Sequence, residues 1–375
     1  MIDRLIRALS VIVALSGCGA SPLLNYEPTS AATVTLPLAQ AGIEDRREEF
    51  SRVFAQELRQ ASDFHQFSDP ARWLHNVNAT KLVSTESLKD NTAIASSTSV
   101  LIVPGIFGDC VGEQSLPFSD GMHRKHDNAV AGYYYLKGLG LASIRALPVR
   151  GRATSDYNSE IVAHEILAEA AAPHIKHILL LGYSKGVPDA LQGLALLHDA
   201  GQLPGKVAAL ISVAGVVMGT PIADAMQSHY AVASPWLNPL TCTESKENAV
   251  HSLTRATRGR WMSEKKIPPG IRTYSLVAHA DSSEISPGLR FSHRELRLAD
   301  PRNDGQVLMT DAILPNSALL AEAKSDHWTF VLPLAQSNVP AVRALANSRS
   351  YPRAELFSAT IRIVLRDLHE GGPHH

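Results

Sequence analysis

The chain has 375 residues, enough for one large α/β domain with insertions or for two modest domains. Its 45% hydrophobic content is ordinary for a globular protein. A formal net charge of −1 gives no electrostatic basis for binding nucleic acid.

Arg4 and Arg7 precede the apolar run Ala8 to Leu15, and Ser16-Gly17-Cys18 follows. A positive start and a short apolar stretch, too short to span a bilayer comfortably, read as a signal peptide over residues 1–17. Leu15-Ser16-Gly17-Cys18 resembles the lipobox of bacterial lipoproteins. That resemblance implies lipidation at Cys18 and a membrane-anchored protein of a Gram-negative envelope. Gly19, in place of Asp, implies sorting to the outer membrane. An ordinary secretory signal cleaved near Gly19 or Ala20 is the alternative.

Residues 18–40, rich in Ser, Ala, Pro and Thr, read as a tether. Residues 41–62 predict a helix with Ile43, Phe50, Val53, Phe54 and Leu58 on one face, within an N-terminal helical extension over 41–96. The main domain, 97–370, follows. Ser97 to Val103 reads as a strand, Asn128 to Leu139 as a helix, and Ser143 to Val149 as a strand. Asp156 to Ala171 is a helix with Ser155 or Asp156 as its cap. Strands follow at Ile178–Leu181, Val207–Val213, Tyr274–Ala278 and, more weakly, Leu319–Ala323, with a closing helix at Ala354–His369. Strands alternating with helices predict a mostly parallel sheet covered on both faces.

Gly182-Tyr183-Ser184-Lys185-Gly186 falls where a buried strand turns into a helix. Pro188 and Asp189 suit a first helical turn, one through its missing N–H and the other through the helix dipole. The central residue of so tight a turn takes a strained backbone, and the flanking glycines supply space. This is the G-x-S-x-G nucleophile elbow, and the chain resembles the α/β-hydrolase superfamily, bacterial lipases and esterases in particular.

The resemblance covers roughly residues 98–330 and implies an α/β-hydrolase fold that cleaves carboxylic esters without a cofactor. It implies Ser184 as nucleophile. It implies His327, directly after the last strand, as base, since the family order is Ser, then Asp or Glu, then His. Asn303-Asp304-Gly305-Gln306-Val307 looks like the acid loop of bacterial triacylglycerol lipases and implies Asp304 as the acid. Asp281, possibly with His293 as base, is the competitor, and Asp326 reads as a loop residue. The resemblance also implies an oxyanion hole made by the backbone N–H groups of Lys185 and Ile106. Pro104 stands where those lipases carry His, so Phe107 is the alternate donor. Met218-Gly219-Thr220-Pro221 resembles their G-T-P turn. The Lys185 side chain is expected to face solvent, because a cation at a helix N-terminus is mildly unfavourable. The insertion at about 221–266, with Met226, Tyr230, Trp236, Leu237, Leu240 and Trp261, reads as a lid or as a surface excursion with a small core of its own. It favours lipid-like ester substrates. An amidase or thioesterase would use the same residues, and a non-catalytic envelope lipoprotein of the same fold is a further alternative.

Of the three cysteines, Cys110 and Cys242 remain once Cys18 is lipidated. An oxidising compartment favours a disulfide between them, with two separate buried thiols as the rival. Neither has metal-ligand spacing with another cysteine. Asp120, His123, His126 and Asp127 have spacings that suit one helical face, but read more simply as a polar loop with solvated histidines than as a metal site.

Overall fold

A computed structural model describes residues 38–60, 69–77, 92–106, 136, 138–227, 249–337 and 340–371. The signal peptide, the tether, Cys110, Cys242, the Asp120–Asp127 cluster and nearly all of the helix expected at Asn128–Leu139 lie outside these residues.

Seven strands form one sheet: β1 (Glu44–Asp45), β2 (Thr98–Val103), β3 (Ser143–Ala146), β4 (His177–Tyr183), β5 (Val207–Val213), β6 (Arg272–His279) and β7 (Ala318–Lys324). Their order is β1-β7-β6-β5-β4-β2-β3, and every pairing is parallel. The sequence gives these strands continuous apolar runs because both faces are covered. On β4, Leu179 and Leu181 enter one core with Phe50, Phe54 and Phe357. Ile178 and Leu180 enter the other with Val162, Val187 and Leu194. The period-2 alternation of a strand distributes them so.

Helix Gly186–Asp199 packs on Ser155–Ala171 across one face. There Gly193 is the close-approach point, since a Cβ at that position would sit 2.7 Å from Val162 Cγ1. Thr154, rather than Ser155 or Asp156, caps the second of these helices by accepting from the Tyr157 N–H.

The segment expected as an N-terminal extension is built into this body. β1 pairs with β7 through Glu44↔Ala318 and Asp45↔Leu319. Helix Arg47–Gln60 lies against the closing helix Arg353–His369. The apolar face of the first helix finds its partner in Leu356, Phe357 and Val364 of the second, 300 residues on. A buried ion pair between Arg46 and Asp367 ties the two ends, and the Tyr274 hydroxyl donates to the same carboxylate at 2.8 Å.

The described parts of 221–266 are helical and packed on the body. Helices Pro221–Met226 and Arg255–Glu264 flank a 3-10 turn at His251–Leu253. Ala223, Val250 and Leu253 are buried with Val277 and Val307. Tyr230, Trp236, Leu237 and Leu240 lie outside the described residues. Among the described residues no helix is long and apolar enough to cross a membrane.

Candidate active site

β4 ends at Tyr183, and Ser184 takes φ +54°, in the left-handed region where a non-glycine residue is strained. Backbone hydrogen bonds hold that turn. The Ser184 N–H donates to the Val213 carbonyl at 3.0 Å, and its own carbonyl accepts from the Val216 N–H at 3.2 Å. A Cβ on Gly186 would lie 1.9 Å from the Val103 carbonyl oxygen. The sharpness of the turn therefore depends on glycine at that position, as the pentapeptide predicts.

His327 stands in the turn that follows β7, within reach of the elbow at the C-terminal ends of the parallel strands. Its Nε2 lies 2.8 Å from Ser184 Oγ, and its Nδ1 lies 2.7 Å from Asp304 Oδ2. All three residues are buried. A carboxylate at Nδ1 selects the tautomer with its proton there, leaving Nε2 to accept from the serine hydroxyl.

The acid loop is fixed by its own backbone. Asp304 Oδ1 accepts from the N–H groups of Gln306 and Val307, each at 2.8 Å. Asn303 Oδ1 accepts from Gly305, whose φ of +91° closes the turn. The Thr220 hydroxyl of the G-T-P turn donates to the Gln306 carbonyl, which ties that turn to the acid loop.

The competing pair does not assemble at Ser184. His293 is buried with Nε2 3.1 Å from the Ala280 carbonyl, and burial holds it below the ordinary histidine range. Asp281 is exposed and precedes a short 3-10 turn. Asp326 is fully buried. Its carboxylate accepts from the N–H groups of Ser286, Trp328 and Thr329, which makes it the brace of the turn carrying His327.

The loop after β2 lies against the elbow, since a Cβ on Gly105 would sit 3.1 Å from Ser184 Cβ and from the Tyr183 ring. Ile106 follows, half-buried beside the cluster around Val216 and Val277. Phe107 lies outside the described residues.

Lys185 corrects one expectation. Its side chain is fully buried, not solvent-facing. The ammonium donates to both carboxylate oxygens of Asp189, at 2.9 and 2.7 Å, and Asn158 Nδ2 donates to Asp189 at 2.7 Å. The unfavourable helix-dipole term is offset by an anion one helical turn on. That i,i+4 spacing was readable in the sequence.

Tyr183 has a structural role at the site that no local pattern in the sequence marks. Its hydroxyl donates to the His327 carbonyl at 2.8 Å, and the two rings stand 5.2 Å apart. Burial, and then the nearby Asp304 and Asp326 carboxylates, push the phenol well above its usual range, so it stays a donor. No sequence periodicity could have found a contact between residues 144 positions apart.

No protein-family profile matches the sequence, and no curated protein matches it. Among solved structures the chain is similar to a metagenomic carboxyl esterase, with 28% identity, a TM-score of 0.74, and coverage of 90% of this chain and 97% of that one. It also aligns with a lipase from Bacillus licheniformis in its mature form, at 20% identity and a TM-score of 0.47, over 67% of this chain and 93% of that one. The parallel sheet and the likeness to the esterase over nearly both whole chains agree: this chain has the α/β-hydrolase fold and is a carboxylic ester hydrolase.

Proposed function

We propose that this enzyme, a carboxylic ester hydrolase, works through an acyl-enzyme on Ser184. The observation that carries the reading is the unbroken hydrogen-bonded series Asp304–His327–Ser184, with steps of 2.7 and 2.8 Å. The similar solved structure is described as a carboxyl esterase, which supports the same substrate class.

Ser184 Oγ attacks the acyl carbon while His327 Nε2 takes the hydroxyl proton. Asp304 holds the Nδ1 proton and stabilises the imidazolium. The backbone N–H groups of Lys185 and Ile106 stabilise the oxyanion. His327 returns its proton to the departing alcohol. Water, deprotonated by the same imidazole, then attacks the acyl carbon and frees Ser184. A fluorophosphonate probe tests this reading. It should label the full chain at Ser184 and leave Ser184→Ala unlabelled, and an unlabelled parent chain would refute a working triad. Hydrolysis of esters of graded acyl length would then locate the chain-length preference toward lipid-like substrates.

We also propose that the enzyme resides in the cell envelope, lipidated at Cys18 on the periplasmic face of the outer membrane, with Cys110 and Cys242 joined as a disulfide. Leu15-Ser16-Gly17-Cys18 supports the first, and an oxidising compartment with only these two further cysteines supports the second.

A further inference from the structure

Among the described residues, three large apolar side chains are more than half exposed: Phe291 at 57%, Leu298 at 64% and Leu345 at 51%. Single exposed hydrophobes are ordinary. Two of them share one helical stretch, and the third packs beside the turn that leads into it. Phe291 belongs to helix Arg290–Leu296, and Leu298 continues its last turn, the Leu298 N–H donating to the Glu295 carbonyl. Leu345 ends helix Pro340–Leu345 and reaches the same corner, its Cβ 3.3 Å from where a Cβ on Gly288 would stand.

Three arginines stand among them, with two acidic neighbours: Glu295, 3.6 Å from Arg294, and exposed Asp281, next to the Ser282 hydroxyl that accepts from Arg297. Arg290, Arg294 and Arg297 are exposed, and together with Phe291 and Leu298 they fall at i, i+1, i+4, i+7 and i+8, one face of a helical stretch. His293 and Leu296 turn inward and are buried. The Arg294 guanidinium sits 5.4 Å over the Phe291 ring. Glu295 is the acidic group on that helix, and its side chain is only 13% exposed.

The corner also adjoins the catalytic machinery. A Cβ on Gly288 would meet the Trp328 ring at 2.8 Å, and Trp328 follows His327. Ser292 donates to the carbonyl of Gly305 in the acid loop, and Leu289 lies against Gly305.

We infer that this face docks the enzyme on a bilayer rich in anionic phospholipid. Arginines set among protruding Phe and Leu side chains are the composition of an interfacial surface: the cations meet phosphate headgroups while the apolar tips enter the acyl boundary. The apolar groups are separate protrusions with arginines between them. A fluid layer accommodates such protrusions one by one. Docking here is independent of the chemistry at Ser184 and of lipidation at Cys18.

The test uses the full chain carrying Cys18→Ser, so that no arm has a covalent anchor and all share the same N-terminus. Binding to phosphatidylcholine vesicles is compared with binding to vesicles containing phosphatidylglycerol, by co-sedimentation at low and high salt. The parent should prefer the anionic vesicles and lose that preference at high salt. Phe291→Ser with Leu298→Ser and Leu345→Ser should weaken anionic binding roughly tenfold. Arg290→Gln with Arg294→Gln and Arg297→Gln should abolish the anionic preference. Both variants should hydrolyse a soluble short-chain ester at the parent rate, which shows that they fold. A Ser184→Ala chain should bind like the parent, so a failed triad reading would leave this result intact. Equal binding to both vesicle types, or undiminished binding by the apolar variant, would overturn the proposal. So would light scattering that shows a dimer dissolved by the same apolar substitutions, since a second copy would then cover the face.

Discussion

His327 and Asp304 are joined twice. The imidazole Nδ1 meets the carboxylate at 2.7 Å, and the His327 N–H donates to the Asp304 carbonyl at 2.8 Å. The imidazole therefore takes its orientation from side chain and backbone of the same residue, and the loop that carries Asp304 is in turn fixed by Gln306, Val307 and Thr220.

Because the backbone contact survives substitution, Asp304→Asn should keep the turn folded while presenting the wrong hydrogen-bonding pattern to Nδ1. Ser184→Ala, His327→Ala and Asp304→Asn should each lower kcat by about three orders of magnitude or more, with little change in thermal stability. Asp281→Asn should retain near-parental kcat. Steady-state kinetics on one soluble ester decides between the two carboxylates.

The Lys185–Asp189 pair gives a prediction with two arms. Lys185→Met leaves a fully buried carboxylate without its cation and should cost about 3–5 kcal/mol in urea unfolding. Lys185→Met with Asp189→Leu removes both charges and should recover most of that loss. The Lys185 backbone N–H is unchanged in both variants, so kcat of folded protein should stay within a few fold. A collapse of kcat with stability intact would mean that the ammonium itself acts on the reaction.

Gly186→Ala would place a methyl group against the Val103 and Pro104 carbonyls, both backbone atoms. The loop carrying Gly105 and Ile106 must then move. Activity should fall about a hundredfold, because small displacements of catalytic donors are costly. Gly205→Ala, with no atom within 4 Å of the added group, is the matched control and should leave activity and unfolding midpoint nearly unchanged.

Glu322 sets an acid limit on stability. Burial would raise its carboxyl, but the His279 hydrogen bond at 2.8 Å and the Arg47 guanidinium outweigh burial and hold it at about 2, against an ordinary 4.5. Between these values the unfolded chain binds more protons than the folded one. The contribution is thus fully present above about pH 4.5 and is lost as pH falls toward 2. Glu322→Gln should lower Tm at neutral pH and flatten the decline of Tm with acidification below pH 4.5. A parallel decline in parent and variant would remove Glu322 from the account.

The envelope reading is tested by two measurements. Cys18→Ser should make the protein removable from membranes by a high-salt wash, or block its processing. A mature-sized variant that stays in the membrane pellet after that wash would reject the covalent anchor. Mass spectrometry of the unreduced protein should find a linked peptide pair through Cys110 and Cys242, whereas two freely alkylated thiols would reject the disulfide.

Much of the fold was legible because its signals are local. Apolar runs marked β2, β4 and β5 to within a residue or two, and alternation with helices implied a parallel sheet. The elbow was legible for the same reason, since its strand, glycines and following helix are contiguous in the chain. The short β1 was hidden. Two residues, Glu44 and Asp45, carry no strand pattern and become a strand only by pairing with Ala318 and Leu319. The helix after it showed an apolar face but not its partner.

By itself, then, the sequence determined the strand–turn–helix at Ser184 and which helices have a face to bury, because each depends on neighbours along the chain. Only the tertiary structure decided that His327 meets Ser184 across 143 positions, that Tyr183 braces the turn carrying His327, and that the N-terminal helix belongs to the core. It also decided that Lys185 is buried: the i,i+4 spacing to Asp189 permits an ion pair on either a wet or a dry face, and the packing of Ser155–Ala171, with Asn158 reaching Asp189, makes that face dry.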